Sequence, residues 1–132
     1  WRILLLLIFF ATFGFGKSIQ DKLNYQLKII EEQERSLDKN SPILASSYAD
    51  IFLLYMELED FAKAKIYAFK YLDIHKALNR DDLYLAVAYN NVYALYEKLR
   101  EYTLAKEYAL KALEIKKRVL EREKNNTNVD IF

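Results

Sequence analysis

Past residue 16, apolar side chains return every three or four positions and charged ones fill the gaps. Tyr48, Ile51, Phe52, Tyr55 and Leu58 follow the i, i+3, i+4, i+7 spacing of one helical face, and Tyr89, Val92, Tyr93, Tyr96 and Leu99 repeat it. A second kind of face runs through Phe61, Ala64, Ala68 and Leu72, and again through Tyr102, Ala105, Ala109, Ala112 and Leu113. Short polar joints, ELED (57–60) and KLRE (98–101), separate the two kinds. Joints this short predict antiparallel neighbouring helices. Ser41-Pro42 supplies an N-cap and a first-turn proline, and Asn79 with Asp81 and Asp82 is placed to do similar work before the next helix.

The pattern is a repeat. Residues 45–76 laid over 86–117 need no gap, and 13 of 32 positions are identical at an offset of 41. Tyr48/Tyr89, Tyr55/Tyr96, Ala64/Ala105, Tyr67/Tyr108, Ala68/Ala109 and Lys70/Lys111 are among them. A half copy precedes these: NYQLKIIEEQERSL (24–37) aligns with EYALKALEIKKRVL (107–120). The domain reading that follows is a partial first repeat at 17–40, full repeats at 41–80 and 81–124, and the opening of another at 125–132.

These residues resemble the tetratricopeptide repeat. A large residue, a medium apolar one and a tyrosine line each first helix: Tyr48, Ile51 and Tyr55, then Tyr89, Val92 and Tyr96. An aromatic, Phe61 or Tyr102, opens each second helix, and alanines follow. The resemblance covers about residues 20–124 and implies an all-α fold, antiparallel helix pairs stacked into a right-handed superhelix of about two and a half repeats. Its long period is similar to that of kinesin light chains and bacterial multi-repeat proteins. Seven residues beyond the usual 34 add about two helical turns, roughly 10 Å, expected at the end of the second helix. Three positions depart from the family pattern. Phe52 and Tyr93 stand where a small residue is usual, which implies wider packing. Tyr71 replaces the last small residue of the first copy, and the closing proline is missing. NNTNVDIF (125–132) looks like the start of a further copy, which would make the chain part of a longer array. Residues 17–132 alone are then expected to melt low and broadly, or to self-associate through uncapped repeats.

The first 16 residues are a different polymer. WRILLLLIFFATFGFG carries no charge after Arg2 and holds both glycines and the single tryptophan. Fourteen helical residues span roughly 21 Å, short of a ~30 Å hydrocarbon core. The basic residue, short apolar run and small residues Gly14 and Gly16 fit a secretory signal peptide, with an uncleaved N-terminal anchor as the alternative. Either predicts an exported protein: periplasmic, extracellular or held at the membrane by this segment.

Charge and composition remove several functions. Net charge is +1, with 20 basic and 19 acidic residues, which provides no nucleic-acid footprint. Cysteine is absent, so disulfides, thiolate metal sites and a cysteine nucleophile are excluded. No glycine lies after residue 16 to form a phosphate-cradling loop. His75 corresponds to Lys116 in the next copy and is expected on a solvated face. The carboxylates Glu31, Glu32, Glu34, Glu114, Glu121 and Glu123 interleave with Lys and Arg as surface pairs. Asn125-Asn126-Thr127 is a glycosylation sequon that matters only in a eukaryotic secreted protein. No enzyme, cofactor or metal site is expected.

One face remains for function. Asp50, Leu53 and Glu57 on the first copy, and Val87, Asn90, Asn91, Ala94 and Lys98 on the second, lie opposite the aromatic seams. The resemblance places such residues on a concave groove that holds a peptide or a partner helix, with Asn91 where the family often pairs an amide with a peptide backbone. Alternatively, Asn90 and Asn91 only hydrogen-bond a neighbouring helix or water. The functions that follow are a protein- or peptide-binding scaffold, an extracytoplasmic sensory domain of a membrane-bound signalling protein such as a histidine kinase, or the repeat portion of a secreted enzyme.

Overall fold

The protein was analysed as a computed structural model, which describes the backbone of residues 2–78 and 82–129 and the side chains of 18–78 and 82–127. Among these residues five helices follow one another: α1 (Arg2–Ser36), α2 (Pro42–Glu57), α3 (Phe61–Ala77), α4 (Leu83–Lys98) and α5 (Tyr102–Val129). Each packs on the next along the chain, giving an all-α stack of helical repeats.

Local chemistry sets the boundaries. Ser41 caps α2 by accepting from the Ile43 N–H at 3.2 Å, ahead of Pro42 in the first turn. Asp82 caps α4 through Leu85 N–H at 3.1 Å, and Asp60 caps α3 through Lys63 N–H at 3.2 Å. Asn79 and Asp81, also expected as caps, lie outside the described residues. The two short joints are the same motif written twice. Asp60 N–H donates to the Tyr55 carbonyl at 2.9 Å and Glu59 N–H to Met56 at 3.2 Å; Glu101 N–H donates to Tyr96 at 2.9 Å and Arg100 N–H to Glu97 at 3.0 Å. This is the Schellman closure, and it puts Glu59 and Arg100 at φ of 57° and 60°, a left-handed conformation that usually takes glycine.

The core is the one the periodicity picks out. Ile51, Phe52, Val92 and Leu95 are fully enclosed, each contributing about 1.5–3 kcal/mol by burial. Ala64, Ala68 and Ala88 are equally enclosed and allow close helix approach. The tyrosines repeat as a cluster. Tyr67 stacks on Tyr55 at 5.6 Å and tilts against Tyr48 at 5.9 Å; Tyr108 stacks on Tyr96 at 5.7 Å and tilts against Tyr89 at 6.2 Å. Lys70 and Lys111 sit over Tyr67 and Tyr108 at 5.6 and 4.8 Å.

The structure corrects two expectations. His75 is buried, not solvated: its ring lies edge-on to Tyr71 at 4.5 Å and flat against Tyr84 of α4 at 5.7 Å. Lys116 was a misleading guide, because α3 is covered on both sides whereas α5 packs chiefly on α4 among the described residues. Tyr102, matched to half-buried Phe61, is exposed for the same reason. The helix α5 runs on through residues 125–129, and the rest of the segment read as the opening of a further copy, 130–132, lies outside the described residues. No proline or glycine stops the helix there, and the Thr127 hydroxyl donates to the Glu123 and Lys124 carbonyls within it. The helix α1 is likewise continuous across the composition boundary at residue 17. Among the described residues no helix is long and apolar enough to cross a membrane.

Candidate functional site

The face proposed from sequence is carried by α2 and α4, the two first helices of the repeats. The offset of 41 pairs Ile43 with Tyr84, Asp50 with Asn91, Leu53 with Ala94, and Glu57 with Lys98. Each helix turns its aromatic seam to its neighbours, so these positions face away from the core. Asp50, Leu53, Glu57, Val87 and Lys98 are exposed, while Asn90, Asn91 and Ala94 are half-buried.

Asp50, Leu53 and Glu57 come together with Lys22, Tyr25 and Gln26 of α1 around a shallow cavity of about 410 Å³. Two carboxylates and one ammonium rim it, and Tyr25 with Leu53 provides apolar surface. Tyr25 is exposed here: it stands at the position of Tyr67 and Tyr108, and among the described residues no first helix stacks on it. The small residues Ala64 and Ala68 are replaced by Lys22 and Gln26, so this face of α1 is polar. None of the predicted α4 residues lines this cavity.

A second cavity, about 370 Å³, opens between α2 and α4 over the end of α3. Pro42, Ser46 and Ala49 form one wall and Tyr84 the other, with Tyr71, His75 and Leu78 at its floor. Burial, together with Tyr84 and Asp82 nearby, pushes the Tyr71 hydroxyl above its ordinary pKa, so it stays neutral at pH 7. Sequence reasoning missed Tyr71, His75 and Tyr84. A signal was present: Ala64, Ala68, Tyr71 and His75 fall at i, i+4, i+7 and i+11, the same buried stripe of α3.

Among the described residues no group of three or more His, Asp or Glu could hold a metal ion. Glu34 lies outside both cavities. It accepts from the Tyr48 hydroxyl at 2.7 Å and from the Lys70 ammonium at 2.8 Å. Lys70, then Tyr48, hold its carboxyl below the ordinary carboxylate value. Burial and Glu34 in turn push the Tyr48 hydroxyl up. Compared with known proteins, the chain matches no family model and no curated sequence.

Proposed function

We propose that this chain is a tetratricopeptide-type, non-catalytic scaffold that holds an extended peptide or a partner helix along the inner face of α2 and α4. The observation that carries the reading is the exposed, mixed character of that face. Leu53, Tyr84 and Val87 present apolar surface between Asp50, Asn90 and Asn91, in two helices whose other faces are buried. Apolar contacts supply affinity in such a groove, and the amides and carboxylate fix a peptide backbone by hydrogen bonds. Residues 1–16 would export the protein or hold it at a membrane surface. No nucleic acid or cofactor is part of the reading.

The test is selection from a random peptide library on the full chain, followed by titration of the selected peptide against Asp50→Ala and Asn91→Ala. Both variants should bind five- to tenfold more weakly, about 1–1.4 kcal/mol, with little change in urea midpoint. Binding unchanged in both variants would remove the groove from consideration. A stability loss of about 1 kcal/mol in Asn91→Ala with binding intact would make that amide structural.

A further inference from the structure

In three places among the described residues a lysine lies over a tyrosine ring and a carboxylate holds it there. Lys70 lies over Tyr48 at 4.9 Å and Tyr67 at 5.6 Å, and pairs with Glu34 at 2.8 Å. Lys111 lies over Tyr108 at 4.8 Å and pairs with Glu107 at 2.5 Å. Lys63 lies over Tyr55 at 5.5 Å and pairs at 3.0 Å with Asp60, the N-cap of α3. The ring face attracts the cation, and the carboxylate fixes its place.

A further ring cluster has the rings and the carboxylate but no cation. Tyr71, His75 and Tyr84 pack together where α2, α3 and α4 enclose the cavity of about 370 Å³. Asp82 is the N-cap of α4, as Asp60 is of α3, and stands beside Tyr84 at the rim. It is near enough to Tyr71 to add to burial and Tyr84 in raising that hydroxyl's pKa. Three residues past Asp60 comes Lys63, but three past Asp82 comes Leu85. Among the described residues no ammonium or guanidinium lies over Tyr71 or Tyr84, or pairs with Asp82. Pro42, Ala49 and Leu78 complete the cavity with apolar surface. The second repeat does not copy the cluster, since Ala112 and Lys116 stand at the positions of Tyr71 and His75.

We propose that this cavity is a socket for a lysine side chain of the bound partner, which supplies the missing cation. The stem lies against Pro42, Ala49 and Leu78, and the ammonium sits over Tyr84 beside Asp82. A lysine suits such a place because its stem can be buried while its head stays in water. Tyr84 is 62% exposed, which keeps the head at the mouth. That the ligand is a peptide rests on the reading of α2 and α4 as a groove; the preference for an alkylammonium rests on the rings and the carboxylate.

His75 is the single histidine, so its two ring C–H resonances report on the cavity directly. N-acetyl-lysinamide, added to the full chain at fixed pH and ionic strength, should shift them saturably, with half-saturation below about 0.1 M. N-acetyl-norleucinamide, which keeps the stem and lacks the ammonium, should bind at least fivefold more weakly. Tyr84→Leu and Asp82→Asn should each weaken the lysine probe at least threefold, and Asp82→Asn should leave the norleucine probe unchanged. Asparagine still caps α4 and leucine keeps an apolar wall, so the far-ultraviolet circular dichroism should not move. The proposal is overturned if the lysine probe does not saturate in that range, if the norleucine probe binds as well, or if both variants retain the lysine probe. The socket and the groove fail separately. Peptide binding that depends on Asp50 and Asn91 without saturation by the lysine probe would overturn the socket alone. Saturation by the probe with no selectable peptide would support the socket and overturn the groove.

Discussion

Tyr67 stacks on Tyr55 at 5.6 Å with 23° between ring planes, and 41 residues later Tyr108 stacks on Tyr96 at 5.7 Å and 25°. The repeat is therefore a repeat of contacts and not only of letters. Tyr25 occupies the same repeat position without a partner ring among the described residues and is exposed. Three equal sequence positions thus have unequal structural roles. Tyr67→Ala and Tyr108→Ala should each cost about 2–4 kcal/mol, because a packed aromatic is lost. Tyr25→Ala should stay within about 0.5 kcal/mol of wild type. Urea unfolding of the three variants decides it. Equal losses at all three would mean that Tyr25 is covered in solution.

Glu59 and Arg100 hold left-handed backbone at the two Schellman turns. A Cβ in that conformation is unfavourable by roughly 1 kcal/mol, and glycine is free of this cost. Glu59→Gly and Arg100→Gly should each raise stability by about 0.5–1 kcal/mol, despite the greater freedom glycine gives the unfolded chain. The two gains should add, as the sites are distant in the stack. Thermal melts of the single and double variants check this, and a loss in either single variant would show that its side chain makes a contact outweighing the strain.

The helix ends and the seams were legible because they are local. Ser41-Pro42 and Asp82 act within one turn, and the 3.6-residue period marks Ile51, Tyr55, Val92 and Tyr96 as inward whatever lies beyond. His75 was not legible by comparison with Lys116, since its burial depends on α4 standing against α3. The candidate site was legible only as a face. Asp50, Leu53 and Glu57 could be placed on α2 from spacing, but their association with Lys22, Tyr25 and Gln26 depends on how α1 lies across α2. The dual role of Asp60, closing α2 and capping α3, was also hidden, because a joint of ELED gives no sign of which acid turns back on the helix.

Ser41 and Asp82 are 41 residues apart and do one job with different side chains. Asp82→Ala should destabilise by about 1 kcal/mol, and Asp82→Ser should recover most of that, since the hydroxyl serves at the equivalent turn. Chemical denaturation at neutral pH is the measurement. A serine variant as weak as the alanine one would mean that the aspartate acts through its charge at the helix N-terminus and not through the cap bond.

Glu34 ties α1 to both helices of the first full repeat, through the Tyr48 hydroxyl on α2 and the Lys70 ammonium on α3. The second repeat cannot copy this link. The position matching Glu34 on α3 is Lys76, and Lys111 turns instead to Glu107 on its own helix. The Glu34 carboxyl is held below its ordinary value by Lys70 first and Tyr48 second. A depressed carboxylate pKa stabilises the fold fully above the unfolded value, about 4.3, and that contribution is lost as pH falls through the lower folded value. Both side chains of the Lys70 pair are two-fifths exposed, so solvent screens the charge and its share is modest. Glu34→Gln should therefore cost about 0.5–1 kcal/mol at pH 7, and Lys70→Met in the same background should add less than it does alone. The Glu34→Gln variant and wild type should converge only as pH falls through that lowered value, where the folded carboxylate takes up its proton. Urea midpoints at pH 7, 4 and 2 follow the convergence. A gap as large at pH 2 as at pH 7 would assign the effect to packing of the Glu34 side chain rather than to its charge.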